Sequence, residues 1–402
     1  MTGAIIITIC TLLLIAYIFD LTSSRTRIPS VILLVFLGWL VQQGSVLMKI
    51  ILPDLTPLLP ILGTLGLILI VLEGSLELEF NNSKIPLIKK SFVIALIPIM
   101  TLSFSLAWLF SWFGGSSFKD ALLNAIPFSV ISSSIAIPSV RDHSKGDKEF
   151  VVYESSFSDI IGILFFNFMA FNSTINLASF ANFGLQLLVI IAVSFIATIG
   201  LSLLLSKIDH HIKFAPIVLL IILIYEISKT YNLPALLFIL LFGLFLGNLD
   251  ELKRLKWMHR LKPDELDLEV YKFKELITEA TFLVRSLFFL LFGYLMQSAE
   301  ILNTDTFKWA LIITGVIFSI RAILLKLFRF SLIPLVYIAP RGLINILLLI
   351  SILPEKMIGL VNKSLMIQVI FLTAFVMMIG SIITKRPLTE VTEELKTENN
   401  NI

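Results

Sequence analysis

The stretch Tyr153-Glu154-Ser155-Ser156-Phe157-Ser158-Asp159-Ile160 decides how this chain is read. It sets two carboxylates and three serine hydroxyls inside an apolar run, Phe150 to Phe171, that is long enough to cross a hydrocarbon core, for which about 20 helical residues suffice. An ionised side chain at that depth is costly, so it marks a functional site by default. With a rise of about 1.5 Å per residue, Asp159 lies roughly 16 Å along the helix from Lys148, close to the bilayer midplane. Ser155, Asp159 and Gly162 follow an i, i+4, i+7 spacing and share a face, with Ser158 beside them. Glu154 is five positions from Asp159 and, at about 100° per residue, points elsewhere. Two carboxylates on different faces read as two roles.

Working outward, the composition fits this reading. The chain has 402 residues, of which 57% are hydrophobic, with a mean hydropathy of +0.97, far too apolar for a soluble globular protein. A formal charge of +3, with the basic residues spread along loops, gives no footprint for nucleic acid. Cys10 is the single cysteine, which excludes an intrachain disulfide, a thiolate metal site and a dithiol redox pair. Met1-Thr2-Gly3 carries no basic residue ahead of the first apolar run, so Ala4 to Phe19 is expected to be a retained span rather than a cleaved signal.

Apolar windows separated by charged or Pro/Gly/Asn clusters predict an all-α polytopic membrane protein of roughly thirteen spans. With the N-terminus outside and the C-terminus cytoplasmic, about 22 Lys/Arg fall inside and about 6 outside, which sets the orientation. The other three, Arg285, Arg321 and Arg341, fall within spans. The segment Asp250 to Glu275 is mixed in charge with interleaved Leu252, Leu255 and Trp257, and reads as an amphipathic surface helix connecting two bundles. Residues 1–386 are expected to form one transmembrane domain and 387–402 a short cytoplasmic tail.

Two spans are broken. The fifth holds Pro127, Ser132-Ser133-Ser134 and Pro138; the twelfth holds Pro334 and Pro340-Arg341-Gly342. Proline frees a backbone carbonyl that lipid cannot satisfy, so such breaks persist where they line protein or a water-filled cavity. Each is the middle member of a triplet, spans 4 to 6 and 11 to 13, and the triplets run in opposite directions. That is the pattern of an inverted repeat whose broken helices cross at a midplane site. A plain proline kink is the simpler account of either span alone.

These residues resemble the monovalent cation:proton antiporters, and within them the sodium/proton exchanger branch. The resemblance runs through Arg27-Ile28-Pro29-Ser30-Val31, Leu72-Glu73-Gly74, Tyr231-Asn232-Leu233-Pro234, Phe288-Phe289 with Phe292-Gly293, and Pro340-Arg341-Gly342. Its most specific part is Glu154-x-x-x-Ser158-Asp159, similar to Glu-x-x-x-Asn-Asp. The resemblance implies that Asp159 takes the transported cation or a proton, that the residue at Ser158 holds the broken helices, and that Glu73 lines the pathway. The family's Thr-Asp at the first break is missing here, and Ser133 and Ser134 stand nearest to it. It further implies a moving core, roughly 89–172 and 306–384, a dimer-forming scaffold, roughly 1–80 and 214–300, and a linking span at 181–206. Glu154 and Arg341 are expected to form a buried ion pair, partly on the family's pattern. Arg321 occupies the position where electrogenic relatives carry lysine.

The chemistry is consistent with those implications. A hard monovalent cation needs oxygen ligands, which Asp159, Ser155, the broken-helix carbonyls and Glu73 can supply. A snorkelling interfacial acid is the other reading of Glu73. Arg285 has Glu279 as its candidate partner. The four histidines, His143, His210, His211 and His259, fall in loops and read as solvated residues or, less simply, as pH sensors. The expected function is thus secondary exchange of a monovalent cation, Na+ first and K+ as the alternative, for H+ across a plasma membrane or bacterial inner membrane. One shared carboxylate implies electroneutral exchange, with no cofactor and no partner beyond cation, proton, lipid and a second copy in a homodimer. A multi-span membrane enzyme is disfavoured by the lack of histidine in any span, and a passive cation channel by the buried titratable Asp159.

Overall fold

Helix Lys145–Phe171, which carries the deciding stretch, begins where Ser144 accepts from the Asp147 amide at 3.2 Å, leaving its apolar residues to continue unbroken to Phe171. In the computed structural model, residues 2–26, 28–49, 54–78, 82–140, 143–172, 174–207, 213–231, 233–249 and 263–384 are described, and every regular element among them is helical. The elements are α1 (Thr2–Thr26), α2 (Ser30–Leu47), α3 (Leu58–Glu77), α4 (Ile85–Gly114), α5 (Phe118–Ser129), α6 (Ser133–Ser139) and α7 (Lys145–Phe171). There follow α8 (Leu177–Lys207), α9 (Phe214–Thr230), α10 (Ala235–Gly247), α11 (Pro263–Tyr294), α12 (Thr304–Leu327), α13 (Leu343–Ile350) and α14 (Lys363–Ile383).

Nine spans among the described residues are long and apolar enough to cross a membrane, α5 and α6 counting together as one. The expected thirteen is not reached on length and composition. α9 has 17 residues, α10 has 13, and the twelfth span is a non-helical stretch followed by the eight-residue α13. α7, with Glu154, three serines and Asp159 in its middle turns, is also outside the nine. Arg27, Glu79, Asn232, His210, His211, His259, residues 250–262 of the charged connector and the tail after Thr384 lie outside the described residues. His143 is half-buried, with its amide bonded to the Val140 carbonyl at 3.0 Å.

Packing sorts the helices by the size of what faces what. α4, α5 and α7 lie against one another, α6 lies on α7, and α12 packs on α4 and α14. α2, α3 and α10 pack with α11 or with each other through glycines. A Cβ on Gly38 would strike the Leu290 carbonyl and one on Gly293 the Val35 carbonyl, so α2 and α11 meet backbone to backbone. α1 and α8 are mostly exposed, presenting residues such as Ile7, Leu14, Leu185 and Leu188 outward. Arg285 reaches Asp20 of α1 at 3.7 Å, and Asp20 also accepts from Ser30 at 3.3 Å. The acid that meets Arg285 is thus Asp20 from another helix rather than Glu279, which is exposed.

The linker between α13 and α14 is strapped to α5 and α7. Asn124 donates to the carbonyls of Asp120 and Lys356, each at 2.8 Å, while Lys356 Nζ donates to the Ala170 carbonyl at 3.0 Å. A cation on the last turn of α7 also suits the negative end of its dipole.

Candidate functional site

Both breaks sit at one place. Helix α5 stops at Ser129, residues 130–132 are extended, and α6 begins at Ser133; the second break runs to Gly342, where α13 begins. The Ser132 amide donates to the Pro340 carbonyl at 3.0 Å, joining one break to the other. This close approach requires a glycine: a Cβ on Gly342 would lie 2.8 Å from both Ser132 Oγ and Ile135 Cδ1.

The last turn of any helix leaves carbonyls without partners, and in a membrane each must find one. Here the opposite break supplies them. Arg341 Nε donates to Phe128 O at 2.8 Å and Nη2 to Ser129 O at 3.3 Å, while Asn345 Nδ2 donates to Pro127 O at 2.6 Å and Val130 O at 2.8 Å. Arg341 also donates to its neighbour Ala339 at 2.6 Å. Its guanidinium is therefore committed to the end of α5, where its charge opposes the negative pole of the half-helix.

That commitment corrects two expectations. Glu154 is not paired with Arg341; it holds Arg321 of α12 in a two-point contact, with Nη1 to Oε1 at 2.7 Å and Nη2 to Oε2 at 3.0 Å. The planar fork matches a carboxylate, and Arg321 Nε finishes the arrangement by donating to Leu335 O at 2.8 Å. The carbonyls of residues 127–130, expected among the cation ligands, are already occupied by side-chain donors.

Asp159 lies where α7 passes the first break, with only 3% of its surface exposed. Ser133, the first residue of α6, donates its hydroxyl to Asp159 Oδ2. Oδ1 has no hydrogen-bond partner among the described residues. One position earlier, Ser158 Oγ accepts from the Ile131 amide at 2.9 Å, so a serine holds the break against α7. One turn later, a Cβ on Gly162 would overlap the Val130 side chain, which fixes how closely the break lies on the helix.

The other hydroxyls divide. Ser155 donates to Val151 O of its own helix at 2.7 Å, which leaves its oxygen lone pairs as acceptors. Ser134 is bonded to Ser132, at 2.8 Å, and not to Asp159. Glu73 is half-buried on α3, which packs against α6 and α7 beside Gly74. Ser133 and Ser158 are thus brought directly to the stretch around Asp159, and Glu154, Arg321 and Arg341 serve elsewhere in the same crossing. Nothing in the sequence singled out Asn345 beyond its being an amide four residues after Arg341 in an otherwise apolar run.

The arrangement offers an anionic oxygen, removed from water and flanked by hydroxyls, at the meeting point of two broken helices. A carboxylate so placed needs neutralising, and either a proton or a cation can do it. The family model described as "Sodium/hydrogen exchanger, transmembrane" matches residues 10–390. Among solved structures, the sodium proton antiporter MjNhaP1 from Methanocaldococcus jannaschii at pH 8 is similar, with a TM-score of 0.64 at 17% identity over 94% of this chain and 95% of that one. An electron-microscopy structure of the same antiporter gives a TM-score of 0.65 at 17% identity, covering 95% of each chain. No curated protein sequence matches.

Proposed function

This chain belongs to the sodium/hydrogen exchanger family, and on that premise we propose that it exchanges a monovalent cation for a proton at Asp159 by alternating access. The observation that carries the proposal is the buried Asp159 carboxylate, with Oδ1 unpartnered among the described residues and Oδ2 held by Ser133. Cation and proton compete for this one carboxylate. Ser155 adds a lone pair one turn away, Ser133 donates its hydroxyl to the carboxylate, and Ser158 keeps the break in place. Ser134 and Glu73 stand in a second rank, as contributors to the path. Sodium is the proposed cation, in line with the similar sodium proton antiporter MjNhaP1, and potassium the alternative.

In this reading the helices α4 to α7 with α12 to α14 move as a core against a scaffold of α1 to α3 and α9 to α11, with α8 as the link. A homodimer through the scaffold, in a plasma or bacterial inner membrane with the N-terminus outside, completes the proposal. The test is purified protein in vesicles with an imposed pH gradient and a pH-sensitive dye, to which Na+, Li+ and K+ are added in turn. Wild type should dissipate the gradient on addition of at least one cation, and Asp159→Asn should do so for none. Cation-driven proton flux in the Asn variant would refute the assignment.

A further inference from the structure

Asn345 is buried completely and makes three hydrogen bonds from one side chain. Its amide nitrogen spans Pro127 O and Val130 O, and its oxygen accepts from the Gly342 amide at 2.6 Å. The orientation is determined by the partners, because a flipped amide would set its oxygen against two carbonyls. The bonded positions are not incidental. Val130 is the residue that seats on Gly162, the next residue Ile131 donates to Ser158, and Ser133 holds Asp159. A single side chain from the second break thus bonds the first of three successive residues by which the first break touches α7.

We infer that Asn345 is a positioning residue for the ion site: by clamping Pro127 O and Val130 O it sets the distance at which Ser133 meets Asp159. Arg341 caps the neighbouring carbonyls Phe128 and Ser129, and the hydrogen bond to Val130 O, the residue seated on Gly162, comes from the Asn345 amide. The assignment rests on the exchange reading for its transport consequence, and on geometry alone for its effect on Asp159.

Two readouts test it. With Asn345→Ala in vesicles, the cation concentration for half-maximal exchange should rise roughly tenfold while the maximal rate stays within about threefold, the scale seen when a residue behind a metal ligand is lost. In detergent, modification of Asp159 by a carbodiimide, quantified by mass spectrometry, should change in rate several-fold relative to wild type at the same pH. If Asn345→Ala does not accumulate, Asn345→Ser, whose hydroxyl is too short to span two carbonyls, takes its place, and Gly162→Ala disturbs the same contact from the α7 side. A fall in melting temperature with unchanged half-maximal concentration and unchanged labelling would make Asn345 a structural clip and overturn the inference. Wild-type behaviour in both readouts would overturn it as well. If wild type itself shows no exchange but Asp159 labelling still responds to Asn345, the exchange reading fails and the positioning role stands.

Discussion

Arg321 and Arg341 are two buried guanidiniums at one crossing, and they do different work because their neighbours differ. Arg321 faces a carboxylate, and Arg341 faces the end of a helix. Removing one partner of a buried pair leaves an uncompensated charge at a cost of about 3–5 kcal/mol. Glu154→Ala and Arg321→Ala should each lower the melting temperature in detergent, Arg321→Ala further, because it also strands the Leu335 carbonyl. The double variant Glu154→Leu with Arg321→Leu should lose less than the sum of the two single changes. Melting curves of all three, followed by loss of the monodisperse peak in size-exclusion chromatography, supply the comparison, and wild-type stability in both alanine variants would contradict the pairing.

At the level of helices, glycine decides which pairs can be intimate. Gly293 meets the Val35 carbonyl, so Gly293→Val should prise α2 from α11 at a cost of about 1–3 kcal/mol, the usual range for overpacking. Gly184 and Gly200 on α8 have nothing within 4 Å of a built Cβ, so alanine there should be neutral or slightly stabilising. A thermal-stability series of the three substitutions reads both expectations, and equal losses at Gly293 and Gly184 would contradict the packing described. The broken spans were legible in the sequence because Pro127, Pro138, Pro334 and Pro340 interrupt apolar runs, and proline in lipid demands an explanation. The burial of Asp159 beside a break was legible because an acid stands in the middle of an apolar run. The partner of Glu154 was not, since two arginines in the later spans, Arg321 and Arg341, satisfy the same pattern and only the crossing geometry separates them. Asn345 was hidden for a related reason: hydrophobic periodicity registers one polar residue in an apolar helix but not the carbonyls it serves, which lie more than 200 residues earlier.

For the whole molecule, the question is what charge crosses per cycle. Arg321 is engaged with Glu154 and arginine does not release its proton in proteins, which leaves Asp159 as the proposed shared carrier. One proton should then be exchanged for one cation. A carrier moving one net charge feels about 2.3 kcal/mol per 100 mV, so its rate would depend strongly on voltage. Proton flux measured in vesicles at a fixed cation gradient, with valinomycin and potassium clamping the potential first negative and then positive inside, should be equal at the two potentials. A several-fold difference would reject one-for-one exchange and direct attention to Glu73.

The mutual capping of the two breaks also bears on how the protein is made. Phe128 O waits for the side chain of Arg341, 213 residues later in the chain. At 5–20 residues per second of synthesis, that interval is roughly 10 to 40 s. During it, the end of α5 has been inserted while the groups that satisfy it are still being translated. The first broken span must therefore be sheltered by the insertion machinery or by neighbouring helices until the second arrives, and a ribosome stalled before Arg341 would hold a protein whose transport centre has not yet come into being.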